Sequence, residues 1–308
     1  MRRLALLVAL LSAPLATAPA CSCPTPPPAA ASLPAPLALL PQDASLVAHV
    51  DLAALRASPL WDKNRALLEA DPDARRTLAA LAACDLAFDG LRALDLAVAG
   101  DGTNVAAVLT GAGVGEPDKV ACLERQMPDR GLRVDRSGPE PVLALTGATG
   151  RFHDKTTIVF STPGWDAAIA DLRAGKAAGV GAGPLAHQLA RVPADRPIWF
   201  VGRVPTRAAI SLAPALSGLQ EVRGALDLRD GLGVELALGM DTEERATATL
   251  AELRKQFDGL RAAGLPPAVL DRVALGQSAA EVSVAVNLTM AEISTLQALS
   301  SAVAPAKP

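Results

Sequence analysis

The chain has 308 residues, half of them apolar and 20% charged, with a mean hydropathy of +0.28. That composition excludes a disordered chain, and the length suffices for one large core or two of ordinary size. A net charge of −3 excludes an electrostatic footprint for nucleic acid.

Residues 1–20 read as an export signal: Arg2 and Arg3 precede the apolar run Leu4 to Leu11, which is too short to span a bilayer. Ala18-Pro19-Ala20 fits the small-x-small cleavage rule, and Cys21 follows it. Ala18-Pro19-Ala20-Cys21 resembles a bacterial lipobox, although Ala18 stands where a branched apolar residue is usual and Pro19 is uncommon there. The expectation is a lipid on Cys21 that anchors the protein in the periplasm or outer membrane of a bacterium. The alternative is a secreted soluble protein. Residues 21–40, with Pro26-Pro27-Pro28, read as an extended tether.

Folded sequence is expected over 41–175, as a first α+β repeat. Leu46 to Leu52 reads as a strand, with helices to about Ala70 and from Ala74 to Ala83, broken at Asp71-Pro72-Asp73. Strands follow at 93–100 and 104–110, then a helix from Pro117 to Met127. Further strands are placed at 132–134, 142–145 and 155–161. Thr162 is read as the cap of a helix whose buried stripe is Trp165, Ala168, Ile169 and Leu172. The glycine-rich residues 176–183 read as a linker.

The second repeat is expected over 184–303, with an unstructured tail at 304–308. Ile198 to Val201 is the most apolar strand candidate and is placed centrally in a sheet. A helix is expected after Pro205. Ala225 to Phe257 then gives strand, Asp230-Gly231 turn, strand and long helix. Ala246, Leu250, Leu253, Phe257 and Leu260 define one helical face, with Asp241 as its cap. Two strands near 272–276 and 281–288 and a helix from Thr289, boxed by Glu292, complete the repeat. Three marks recur in order: Pro41-x-Asp43 with Pro193-x-Asp195, the ALDL runs at Ala93 and Ala225, and Thr162 with Thr289. The expected fold class is therefore α+β, two related halves of mainly antiparallel sheet with helices packed on them, as one sheet or two domains.

Ser45 to Asp51 with Leu55 to Leu60, the Cys84…Cys122 frame and the closing run Val282 to Leu299 carry a resemblance. The chain resembles uncharacterised exported proteins and lipoproteins of GC-rich bacteria with a duplicated α+β architecture. The resemblance implies a compartment and a rough fold, and no chemistry.

Cys84 and Cys122 are the natural disulfide partners in an exported chain; the alternative is two unconnected thiols. Cys23 is left over. His49, His153 and His187 are scattered without metal-ligand spacing and read as ordinary structural residues. Gly111-x-Gly113-x-Gly115 lacks the third fingerprint glycine, and Glu116 and Asp118 would repel a phosphate. Gly175-Lys176 is no phosphate loop, and Gly276-Gln277-Ser278-Ala279 reads as a hairpin turn. Arg125, Arg130, Arg133 and Arg136 interleave with Asp129 and Asp135, as on a solvated surface. No catalytic, metal or cofactor set emerges. The expected function is a cell-envelope protein that binds a protein partner or an apolar ligand without catalysis. The alternatives are an envelope hydrolase whose site assembles only in three dimensions, and a lipid carrier.

Overall fold

The computed structural model describes residues 34–193, 195–204, 216–262 and 266–303, with the backbone alone for 298–303. The first half runs β1 (Leu46–Asp51), α1 (Leu52–Arg56), α2 (Pro59–Ala70), α3 (Pro72–Ala83), β2 (Leu91–Val98) and β3 (Val105–Gly111). It continues through α4 (Pro117–Gln126), β4 (Arg133–Asp135), β5 (Val142–Leu145), β6 (Ala148–Asp154), β7 (Thr157–Ser161) and α5 (Asp166–Arg173). The second half runs α6 (Ala186–Leu189), β8 (Ile198–Arg203), β9 (Leu219–Asp227), β10 (Gly231–Met240) and α7 (Glu243–Ala262). It ends with α8 (Pro267–Leu270), β11 (Val273–Ser278), β12 (Glu281–Thr289) and α9 (Met290–Val303).

Twelve strands make one antiparallel sheet, in the order β11-β12-β10-β9-β8-β1-β2-β3-β7-β6-β5-β4. Outward from the middle, the first half reads β1-β2-β3-β7-β6 and the second β8-β9-β10-β12-β11. The order is the same, and the first half adds the β5–β4 hairpin beyond β6. The fold is thus α+β, two related halves of mainly antiparallel sheet with helices packed on them. The halves meet edge to edge, β1 against β8, from Leu46 opposite Gly202 to Val50 opposite Ile198. Pro41 and Pro193 precede these two strands, the ALDL runs lie in β2 and at the end of β9, and Thr162 and Thr289 close β7 and β12.

Side-chain alternation gives the sheet two unlike faces. One face carries a single central cluster: Val47, Ala97, Val108, Val159, Trp199 and Val201 pack against Leu37, Leu40, Ile169, Val180 and Leu185. The other carries two separate clusters. One lies under α3 and α4 (Ala80, Val120, Leu123, Leu143, Ile158) and the other under α7 (Leu238, Met240, Ala246, Leu250, Val282).

Several expectations change. The folded body begins before Pro41, because Ala35–Leu39 forms a 3-10 turn that buries Leu37 and Leu39, with Leu40 after it. The apolar run Leu37 to Leu40 outweighs the prolines around it. Residues 176–183 include a 3-10 turn whose Val180 is fully buried. The strand β6 is new; ATGRFHD alternates too weakly to announce itself. Thr162 caps no helix by its side chain; its hydroxyl oxygen instead accepts from Val105 N–H at 3.1 Å. At α7 the capping oxygen belongs to Thr242, which accepts from Arg245 N–H, while Asp241 pairs with Arg245. The helix expected after Pro205 lies outside the described residues.

The box at α9 forms as read. Glu292 accepts from the N–H of Thr289 at 2.8 Å and from its hydroxyl at 2.9 Å, and the Thr289 hydroxyl accepts from Glu292 N–H. The Thr289 N–H, aided by Arg272, pulls the Glu292 carboxyl down to about 2. A depressed carboxyl adds stability that is full above its unfolded value of about 4.3 and fades as pH falls through the folded one. An NMR titration of Glu292 should therefore find a midpoint near 2; a midpoint near 4 would mean the box is open in solution.

Candidate functional site

The middle of the sheet holds the one His–carboxylate pair among the described residues. The register sets Asp95 of β2, His49 of β1 and Trp199 of β8 side by side. His49 Nδ1 lies 2.7 Å from Asp95 Oδ1, and its ring stacks on Trp199 at 5.3 Å between centroids. Asp95 is 1% exposed, and its Oδ2 has no partner among the described residues. A carboxylate buried this way is costly unless it is hydrogen-bonded, and His49 supplies that bond. The trio joins the two halves. Among the described residues no hydroxyl or thiol nucleophile bonds the pair. The buried Ser161 donates to Asp166 at 2.6 Å instead. His49 thus has a buried partner that the sequence reading did not name. The clue was Asp95, a charge in line with Ala93 and Ala97 on the core side of an apolar strand.

Asp227 holds the same place in the second ALDL run and is half-buried. Arg229 and Arg196 both bond it and hold its carboxyl well below the usual carboxylate range, Arg229 contributing most. Arg196 also reaches Glu235 at 2.7 Å. Nearby, Arg191 and Arg223 meet Glu281 at 2.9 and 3.1 Å across a groove of about 340 Å³. These guanidinium groups are each engaged by carboxylates, so the groove is self-neutralised.

The two-cluster face is different. Between α3–α4 and α7 run Leu46, Ala48, Val50, Leu94, Leu96, Ile198, Phe200 and Leu226, all half-buried, while Val47, Ala97, Trp199 and Val201 behind them are buried. The helices leave a trough. Five strand spacings separate β3 from β10, about 24 Å. Phe200 forms its floor, its ring lying over Gly224 so closely that a Cβ there would stand 2.4 Å from it. Lys63 of α2 bonds Ser294 of α9, linking the helices at the Asp51 end. The floor is apolar across four strands, with no ionisable side chain in it.

The remaining sequence candidates are dispersed. Cys84 and Cys122 form a disulfide joining the end of α3 to α4. Cys21 and Cys23 lie outside the described residues. His153 on β6 and His187 on α6 are exposed and far apart in the fold. The backbone of the Gly111–Gly115 run is already engaged, Gly111 N–H with Thr156 O, Ala112 N–H with Gly90 O and Gly115 N–H with Lys155 O, which leaves little to hold a phosphate. Gly276 to Ser278 end β11, and Ala279, at φ 48°, begins the turn into β12. Arg130 and Arg136 pair with Asp73 and Asp118. Among the described residues no three His, Cys, Asp or Glu side chains gather as a metal ion would need, and no helix is long and apolar enough to cross a membrane.

No family model and no curated protein matches the sequence. Solved structures do match. Crystal form III of TP0453 aligns with a TM-score of 0.56 at 7% identity, covering 86% of this chain and 98% of that one. Crystal form I aligns at 0.52 and 7% identity, covering 87% and 98%, and form IV at 0.50 and 10%, covering 85% and 96%. At such identity the likeness establishes the shared α+β fold.

Proposed function

We propose that this is an exported protein, held at a bacterial envelope membrane by acylated Cys21, which binds an apolar chain in the trough without catalysis. The half-buried apolar strip from Leu94 to Leu226 carries this reading. A water-facing apolar floor flanked by two helix-capped clusters is the form that an acyl chain fills, and filling it removes the strip from water at about 25 cal/mol per Å². The signal-like leader and lipobox-like Ala18 to Cys21 support the location.

Titration of the purified protein with a fluorescent fatty acid tests the site. Saturable uptake is expected, and Ala48→Phe, which fills the floor between Leu96 and Phe200 without adding charge, should weaken it at least tenfold. Uptake that is absent, or equal in the variant, would exclude the trough. Intact mass of the membrane-fraction protein tests the anchor, and an unmodified Cys21 would remove it.

A further inference from the structure

We propose that the open edge of the sheet at β11, with the overhanging end of α7, is a docking site for an extended segment of a partner protein, which adds as a thirteenth strand. The two edges of the sheet differ. β4 has three residues, of which Arg133 and Asp135 are charged, and Val134 N–H is already taken by Glu124 at 2.9 Å. That is a blunted edge. β11 has six residues, VALGQS, with no charge and no proline. Its register with β12 turns the N–H and C=O groups of Val273, Leu275 and Gln277 outward. Among the described residues none accepts from those N–H groups.

The first half shows what belongs there. β11 holds the place of β6, and beyond β6 lie β5 and β4. Leu132, Val134, Leu143 and Leu145 of that hairpin complete the cluster under α3 and α4. Among the described residues the second half has no such strands, yet its helix is long enough to cover them. α7 has 20 residues against 10 in α4. Its apolar stripe is buried at Ala246 and Leu250, half-buried at Leu253 and Phe257, and open at Leu260, which is 42% exposed. The stripe runs on past the last strand.

Between them lies a groove of about 220 Å³ lined by Phe257, Leu270, Val273 and Leu275, with Arg254, Asp258 and Arg261 on its rim. Arg261 is shared with Asp258 and Asp271, whereas Arg254 has no acidic partner among the described residues. A strand laid on β11 would point alternate side chains into this groove, and a flanking carboxylate would meet Arg254. The occupant is therefore an extended segment with alternate apolar residues and an acid beside them. This chain's own β5 stretch, Glu140 to Thr146 (EPVLALT), has that chemistry.

The probe is that heptapeptide, end-blocked and fluorescently labelled, titrated against the full mature chain and followed by anisotropy. Saturable binding is expected, with the amide signals of Val273, Leu275 and Gln277 shifting most. Val273→Pro removes one outward N–H at a strand start, where proline is tolerated, and should weaken binding at least tenfold. Arg254→Glu, an exposed helix position, should weaken it at least threefold and decides the matter if the proline variant misfolds. Saturating fatty acid should not displace the peptide, so this site and the trough stand or fall separately. Absence of saturable binding overturns the proposal, as does binding that Arg254→Glu leaves unchanged. A concentration-dependent dimer abolished by Val273→Pro would assign the edge to a second copy and overturn it too.

Discussion

Replacing Cys84 and Cys122 together with alanine is expected to lower the unfolding free energy by about 3–4 kcal/mol, the loop-closure value for their sequence separation of 38. The local packing explains why little would compensate. α2 buries no side chain fully and α3 buries only Ala80, so the α1–α3 arm contributes little core of its own. Cys84 ends α3 and Cys122 lies on α4, whose Val120 and Leu123 are anchored under the sheet. The bond therefore fastens a lightly packed arm to a well-packed helix. Urea denaturation of the double variant and of the reduced parent should give the same lowered value. Hydrogen exchange should rise in α3 and α4 and stay unchanged in α7. A loss below about 1 kcal/mol would show that packing alone holds the arm.

The order of elements was legible because its signals are local. Period-two alternation located β10 and the end of β9, apolar runs located β1, β2 and β3, and Asp71, Thr289 and Glu292 act at helix starts as their sequence contexts imply. The joining of the halves was not legible. The β1–β8 pairing links residues about 150 apart, and neither strand shows locally that the other is its neighbour. The trough was hidden for a related reason. Leu46-Val47-Ala48-His49-Val50 is apolar on both faces, so the sequence cannot say that Val47 is sealed while Leu46, Ala48 and Val50 look onto a gap. The stripe on α7 was read as one helical face, and how far that face is covered was not legible. Its period shows which residues align, but the number of strands beneath it is set elsewhere in the chain.

The glycine-rich residues 176–183, read as a linker, lead to the second large effect. Val180 N–H donates to Leu40 O, and Pro41 and Gly179 form a bridge, so the segment lies against 38–42 backbone to backbone. A Cβ on Gly183 would stand 1.9 Å from Gln42 O, and one on Gly179 would stand 2.3 Å from Ala38 O. Neither obstacle is a side chain that could swing away. Gly183→Ala must push the 38–42 strip off by about 1 Å, and that strip carries the fully buried Leu37 and Leu40. Each such leucine is worth about 1.5–3 kcal/mol. We expect Gly183→Ala to cost at least about 3 kcal/mol in urea denaturation, with new exposure detected around Leu37 to Leu40. Gly138→Ala, whose nearest obstacle is Glu140 O at 3.8 Å, should stay within about 0.5 kcal/mol of the parent. Equal stability of the two variants would mean that residues 176–183 hang free as a linker. The small residues are there because two stretches of main chain must touch, a requirement that composition alone cannot separate from flexibility.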